Sequence, residues 1–292
     1  MAQLKDIRTR ILSVKNTRQV TSAMKLVSAA KLKRAQDNLL HIAPYERKLD
    51  EILHHLTIGN LDIHSAYLKK HEPDKILIVV IGTNRGLCGA FNSNLAKMAI
   101  KHAKMNYRTH FQMNNVHFLP IGQQIAKEFK TTGSRIDSEF NHLIDSADYD
   151  GSTKLVQQLM QWFIEKRYPQ IDVIYNRFMN AALQEPAVEQ FLPVEEPDIK
   201  DPSEMLTEYI FEPGKSEVYN ELIPLALKMH FYSLLLESVT AEHGARMTSM
   251  HQATDNATNL LSDLRKTYNN LRQSAITNEI IEITGGAEAL NT

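Results

Sequence analysis

The chain has one cysteine, Cys88, among 292 residues, so neither an internal disulfide nor a CxxC pair can form. That excludes a disulfide-stapled secreted scaffold and fits a reducing compartment. Long apolar runs are missing too. Ile76 to Ile81, among the longest, falls far short of the ~20 residues that cross a bilayer. The N-terminal MAQLKDIRTRI has no apolar signal core and no Ser/Arg-rich extension, so no targeting peptide is expected. Neither GxxxxGK[ST] nor GxGxxG occurs, and the histidines, His54, His55, His64 and His71 among them, form no HExxH. No metal or other cofactor is therefore expected, and no catalytic constellation can be argued from residue order.

Proline and glycine are scarce toward both ends, and what remains there is helical. From about Glu221 to Leu290 apolar residues recur at helical spacing: Leu222, Leu225, Met229, Tyr232, Leu236, Val239, then Met247, Met250, Ala253, Ala257, Leu260, Leu264, Leu271, Ala275, Ile276, Ile280 and Ile283. Pro224 fits a first helical turn, and Gly244 alone interrupts before Gly285. About 65 residues at ~1.5 Å each would make a helix of roughly 100 Å, which needs a partner along its length. The first 58 residues supply one. Leu4, Ile7, Ile11 and Val14 keep the spacing of a coiled-coil seam, Val20, Met24, Val27 and Leu32 continue the stripe, and only Pro44 breaks the run. Paired antiparallel, 1–58 and 215–290 would form a coiled-coil rod, with the central segment 73–214 a knob where the chain turns back.

That central segment changes period. KILIVVI (Lys75 to Ile81) reads as a strand buried on both faces, and Val116 to Ile121 and Ile171 to Phe178 repeat the signal. Helical stretches near Asn92 to Met105, Gln123 to Lys130 and Thr153 to Lys166 alternate with them, the grammar of a Rossmann-like α/β domain with right-handed crossovers. The turn from Gly82 to Gly89 reads GxxxGxxG, so Gly86, Cys88 and Gly89 are assigned to a structural turn and not to a phosphate cradle. Charge is balanced overall, 33 basic against 34 acidic residues, but segregated. Residues 1–48 hold eleven Lys or Arg against three acids, net +8, whereas 185–213 hold nine acids against Lys200, net −8. The latter stretch also carries five prolines and reads as a last strand or two with exposed, mobile loops.

Three motifs then carry a resemblance. Arg8 to Gln36 reads RTRILSVKNTRQVTSAMKLVSAAKLKRAQ, Arg85 to Asn92 reads RGLCGAFN, and ARMTSMHQATDN (Ala245 to Asn256) leads to YNNLRQSAITNEIIEITGGAEAL (Tyr268 to Leu290). In this order and over its whole length the chain resembles the gamma subunits of F-type ATP synthases. Two departures stand out: Asn84 where the family commonly has Asp, and His243-Gly244 in place of a more helix-favouring pair, where local bending is expected. With neither a transit sequence nor the cysteine-bearing insertion of chloroplast relatives, the resemblance is to bacterial members.

The resemblance implies a non-catalytic rotor shaft, one copy inside a ring of three alpha and three beta subunits, standing on the c-ring beside epsilon. It would couple proton-driven rotation to ATP synthesis and regulate ATPase activity and proton flow. It would be peripheral, on the cytoplasmic face of the inner membrane, reaching the membrane only through the c-ring. From the matching motifs it implies beta-subunit contacts at Arg272, Gln273 and Thr277, coupling positions at Met24, Lys25 and Arg246, and an apical bearing at Ile280, Ile283 and Leu290. A seam residue and a bearing residue look alike in sequence, so Leu271, Ile276 and Ile280 admit both readings. Arg272 and Gln273 stand out as a polar pair in an apolar run, costly to bury unless satisfied. The alternatives are a coiled-coil adaptor or nucleic-acid-binding protein using the basic first helix, and a nucleotide-dependent enzyme on the Gly82 turn. Between Arg8 and Arg34 no aromatic residue interleaves with the basic ones, which leaves base stacking unsupported.

Overall fold

A computed structural model describes residues 2–57, 65–68, 73–130, 139–194, 212 and 214–290. Most of the acidic stretch beyond residue 194 lies outside them, as do His64, His71 and the side chains of His54, His55 and Leu290. In order the elements are α1 (Ala2–Thr57), β1 (Ile76–Ile81), α2 (Phe91–Asn106), α3 (Arg108–Gln112), β2 (Val116–Ile121), α4 (Gln123–Glu128), a 3-10 turn (Glu139–His142), α5 (Leu143–Ser146), α6 (Tyr149–Ile164), β3 (Gln170–Phe178), β4 (Gln184–Leu192) and α7 (Lys215–Leu290). They divide into two compact units, residues 1–28 with 246–292, and residues 29–245.

The larger unit is built on a four-stranded sheet in the order β2-β1-β3-β4. β1 runs parallel to both neighbours, and β4 pairs antiparallel with β3 at the edge. Long terminal helices and a central α/β sheet are thus the architecture expected, and β4 falls where a last strand was expected in 185–213, running antiparallel at the edge. All six residues of β1 are fully buried, as a β-branched run between two parallel neighbours should be. Alternate side chains serve opposite faces. Leu77, Val79 and Ile81 join Leu155, Leu159 and Phe163 of α6, along with Phe231 and Leu235 of α7. Ile76, Ile78 and Val80 meet Leu95 and Ala99 of α2. On α7, Ser238 donates its hydroxyl to the Ile81 carbonyl at 3.0 Å, satisfying a polar group inside an apolar contact. The start of α6 is fixed by Asp148, whose carboxylate accepts from the Gly151 amide at 2.7 Å.

In the smaller unit the seam holds its phase more strictly than the apolar residues do. Leu4, Ile7, Ile11, Val14 and Arg18 are half-buried, and the next inward positions are Thr21 and Ser28. Val20 and Val27, read from sequence as part of the stripe, are 57% and 58% exposed. Hydroxyl residues take the seam because it advances by alternating threes and fours whatever occupies it, and small side chains let the backbones approach. On α7 the buried set is Arg246, Met250, Ala257, Leu261 and Leu264, with Leu260 turned outward. The hydroxyls of Thr21 and Thr254 meet at 2.9 Å.

Three further expectations are corrected. Pro224 lies well inside α7 and Pro44 well inside α1, not at helix boundaries. Each removes one N–H bond and crowds the carbonyl four residues back, yet buried neighbours on both sides hold the helix: Tyr219, Ile223 and Leu227 around Pro224, Ala35 and Leu49 around Pro44. A stretch of α7 is also long and apolar enough, by length and composition, to cross a membrane. Half of it is buried in this structure, and Phe231, Leu234 and Leu235 there belong to the sheet's core. Scattered Lys228 and Glu237 hid this stretch from a search for unbroken apolar runs.

Gly244 sits within α7, where a Cβ would come 3.3 Å from the Phe178 ring and 3.4 Å from the Ala181 backbone. Close approach of the β3–β4 hairpin explains the glycine. Gly244→Leu should destabilise the chain by about 1–3 kcal/mol through overpacking. Gly244→Ala should cost less, because a helix-propensity gain of about 1 kcal/mol offsets the contact. Denaturant midpoints of the two variants check this. Ala147 caps α5 in the left-handed region, φ 45°. Ala147→Gly should raise stability by about 0.5–1 kcal/mol, seen as a higher unfolding midpoint.

Candidate functional site

Two places could carry function, the crevice at the carboxyl ends of the parallel strands and the far part of α7. From β1 the chain moves to one side, to β2, and from β2 to the other, to β3, which puts a topological switch point beside β1. Ligands of open α/β sheets bind at such points, on helix N-termini.

Here the protein occupies the crevice itself. The amides of Gly122, Gln123 and Gln124, at the start of α4, donate to Asn141 Oδ1 (2.8 Å), Asn84 Oδ1 (3.0 Å) and the Thr83 carbonyl (2.8 Å). Asn84 Nδ2 donates to the Asn141 carbonyl and to Asp145 Oδ2, both at 2.7 Å. Asn92 Oδ1 accepts from the Thr83 amide at 3.1 Å, and its Nδ2 donates to the Thr83 hydroxyl at 2.8 Å. Donors that would cradle a phosphate are spent on protein oxygens, and Asp145 adds a negative charge. Gly82 is required because a Cβ would stand 2.3 Å from Ile125 Cβ, and Gly122 because its φ is +122°. The departure at Asn84 also has a reason. Aspartate there would lose both donations and set its carboxylate against that of Asp145.

The turn that follows is closed in the same way. Cys88 is buried, with its sulfur 3.7 Å from Asn92 Nδ2. Gly89 adopts φ +63°, whereas Gly86 faces open space, and the other left-handed residue is Leu87, φ 64°, with its side chain 61% exposed. Among the described residues no group of three or more His, Cys, Asp or Glu could hold a metal ion.

Along α7 burial fades toward the C-terminus. Leu261 and Leu264 are buried, Tyr268, Leu271 and Ala275 half-buried, and every described side chain beyond is exposed. Ile276, Ile280, Ile281 and Ile283 are 47% to 66% exposed. Four isoleucines on one helix end form an apolar surface that a lone soluble domain would hide. Arg272, Gln273 and Thr277 are exposed as well, and the Thr277 hydroxyl donates back to the Gln273 carbonyl at 3.0 Å. The polar pair therefore carries no burial cost within this chain, contrary to the sequence argument that singled it out. Met24 and Lys25 are half-buried, and Arg246 is 7% exposed, all in the smaller unit. Leu290 is the last residue of α7, and its side chain is outside the described set. Sequence reasoning had no signal for Asn141 and Asp145, which lie some sixty residues from the turn they close.

Comparison with known proteins agrees with this arrangement. A family model described as ATP synthase matches residues 3–290. The ATP synthase gamma chain of Cytophaga hutchinsonii is 44% identical over 100% of both chains, and that of Flavobacterium psychrophilum 47% identical over 99% of both. Among solved structures, a chain of the Euglena gracilis mitochondrial ATP synthase (OSCP/F1/c-ring, rotational state 3) superposes with a TM-score of 0.68, covering 99% of this chain and 95% of that one. At 16% identity that likeness shows a shared fold. Taken with the full-length identity to the bacterial chains, it leaves one assignment: the chain belongs to the ATP synthase gamma chain family.

Proposed function

We propose that this chain is the central rotor shaft of a bacterial F-type ATP synthase, coupling rotation of the c-ring to conformational cycling of the catalytic beta subunits. The observation that carries this reading is the 44% identity to a gamma chain over the full length of both proteins. The open apolar end of α7 supports it, since a shaft turning in a sleeve needs a surface without fixed hydrogen bonds. So does the self-filled crevice, which leaves bond chemistry to other subunits. The chain is a non-catalytic component, one copy with three alpha and three beta subunits, with epsilon and the c-ring at the sheet unit. It stands on the cytoplasmic face of the inner membrane without entering it.

Its work is differential contact. Moving a two-state site from about 1:99 to 99:1 takes ~5.5 kcal/mol of preference for one state. A shaft supplies that by presenting different faces in turn to identical partners. Ile280, Ile283 and Leu290 form the bearing surface. Arg272, Gln273 and Thr277 meet the beta subunits, and the exposure of Arg272 and Gln273 in the free chain leaves their side-chain donors open to partner carboxylates, whereas the Thr277 hydroxyl is spent on the Gln273 carbonyl. Met24, Lys25 and Arg246 set coupling from within the smaller unit.

Purifying the cognate alpha and beta subunits with and without this chain tests the reading. A stable complex of three alpha, three beta and one copy of the chain, with sustained ATP hydrolysis dependent on it, is expected. A chain that stays apart, or turnover indifferent to it, would sink the proposal in favour of an adaptor. Within the assembled complex, Gln273→Leu should leave assembly intact and lower turnover or the ratio of protons pumped to ATP hydrolysed. Normal values of both would remove Gln273 from the interface.

A further inference from the structure

Within the larger unit one histidine joins three elements. His230 on α7 points Nδ1 at Glu46 Oε1 of α1 (3.1 Å) and Nε2 at Glu189 Oε2 of β4 (3.2 Å). Glu189 Oε1 also accepts from the Tyr175 hydroxyl on β3, at 2.5 Å, and from Arg177 Nη2 at 3.1 Å. Farther along α7, Glu237 accepts from the Phe178 amide at 3.4 Å. Among the described residues, these charged and titratable groups face the histidine or its partners from α1, α7, β3 and β4.

The geometry specifies the proton count. A neutral imidazole carries one N–H, so one ring nitrogen would turn a lone pair toward a carboxylate oxygen that can only accept. With both carboxylates ionised, the imidazolium answers both, its Nδ1–H donating to Glu46 and its charge paired with Glu189 at 3.2 Å. No other residue in the network can serve both, since the carboxylates accept only and Tyr175 is engaged on the far oxygen of Glu189. We propose that Glu46, His230 and Glu189 form a charge-locked latch that ties both terminal helices to the edge strand β4 and releases them in alkali.

The titration directions agree. Burial alone would pull His230 down, but its hydrogen bonds to Glu189 and Glu46 outweigh this and push it up to about 9. The bond from His230, with those from Tyr175 and Arg177, lowers Glu189 to about 2 against the opposing effect of burial. A raised histidine stabilises the fold fully below the ordinary imidazole value and loses that contribution as pH rises through about 9. The depressed carboxylate contributes above its ordinary value and loses its share as pH falls through about 2. Both act in full between the ordinary carboxylate and imidazole values, so neutral and mildly acidic conditions keep the latch shut. The His230 side chain is 38% exposed, which screens its attractions and lets hydroxide reach it.

The test uses the full chain with its histidine rings labelled with 15N, and His230→Gln to assign the signal. Expected at about pH 7.5 is a doubly protonated ring that titrates more than one unit above an ordinary histidine, near pH 6.5. A neutral ring at that pH overturns the proposal. Thermal midpoints give a second readout. Between about pH 7 and pH 10 the unmodified chain should lose more than His230→Gln does, so that the two curves converge in alkali. Parallel curves overturn the latch even if the ring is charged. Should His230→Gln fail to fold, Glu46→Gln replaces it in both measurements, with the ring expected to titrate lower than in the unmodified chain; an unmoved titration would again refute the idea.

Discussion

Helix α7 has to hide two different apolar faces, and the rest of the structure follows from how it does so. From Tyr219 to Val239 it lies on the sheet, with Phe231 and Leu235 fully buried, and from Arg246 to Leu264 it belongs to the smaller unit. Each face needs its own partner. The sheet supplies one, through a strand so apolar that its alternate residues feed opposite cores, and residues 1–28 supply the other. Among the described residues burial along α7 weakens beyond Leu264, and the isoleucines from Ile276 onward are exposed.

Polar groups are placed where they make the apolar contacts specific. Ser238 answers the last carbonyl of β1, Asp148 starts α6, and the hydroxyls of Thr21 and Thr254 meet inside the seam. The crevice beside β1 shows the same economy carried further. A site that in other α/β proteins would offer amides to a phosphate is filled by Asn84, Asn141 and Thr83. The sheet keeps the topology of such a site while its own side chains take up the amides.

The same contrast separates the charged groups. Surface pairs such as Lys33 with Asp37, or Lys48 with Glu51, are exposed and worth little. Glu189 collects three donors from three side chains and joins β4 to β3 and α7.

The sequence by itself determined the element types, the three parallel strands within a residue or so, the two long helices and the family. These depend on local periodicity and on motifs, both of which are written along the chain. Tertiary structure decided the rest. The seam runs through Thr21 and Ser28 where the apolar residues suggested Val20 and Val27, because phase is set by the partner helix and not by hydropathy. Pro44 and Pro224 are carried inside helices because packing on both sides outweighs a lost hydrogen bond. Gly244, where the sequence led us to expect local bending, leaves room for the close approach of Phe178 and Ala181. Arg272, Gln273 and Thr277 were legible from the motif, but their exposure was not, since only the fold shows where one chain's burial ends. Asn84 with Asp145, and Glu46 with His230, are pairs separated by 61 and 184 residues. No periodicity reaches that far, so only the folded chain could bring them together.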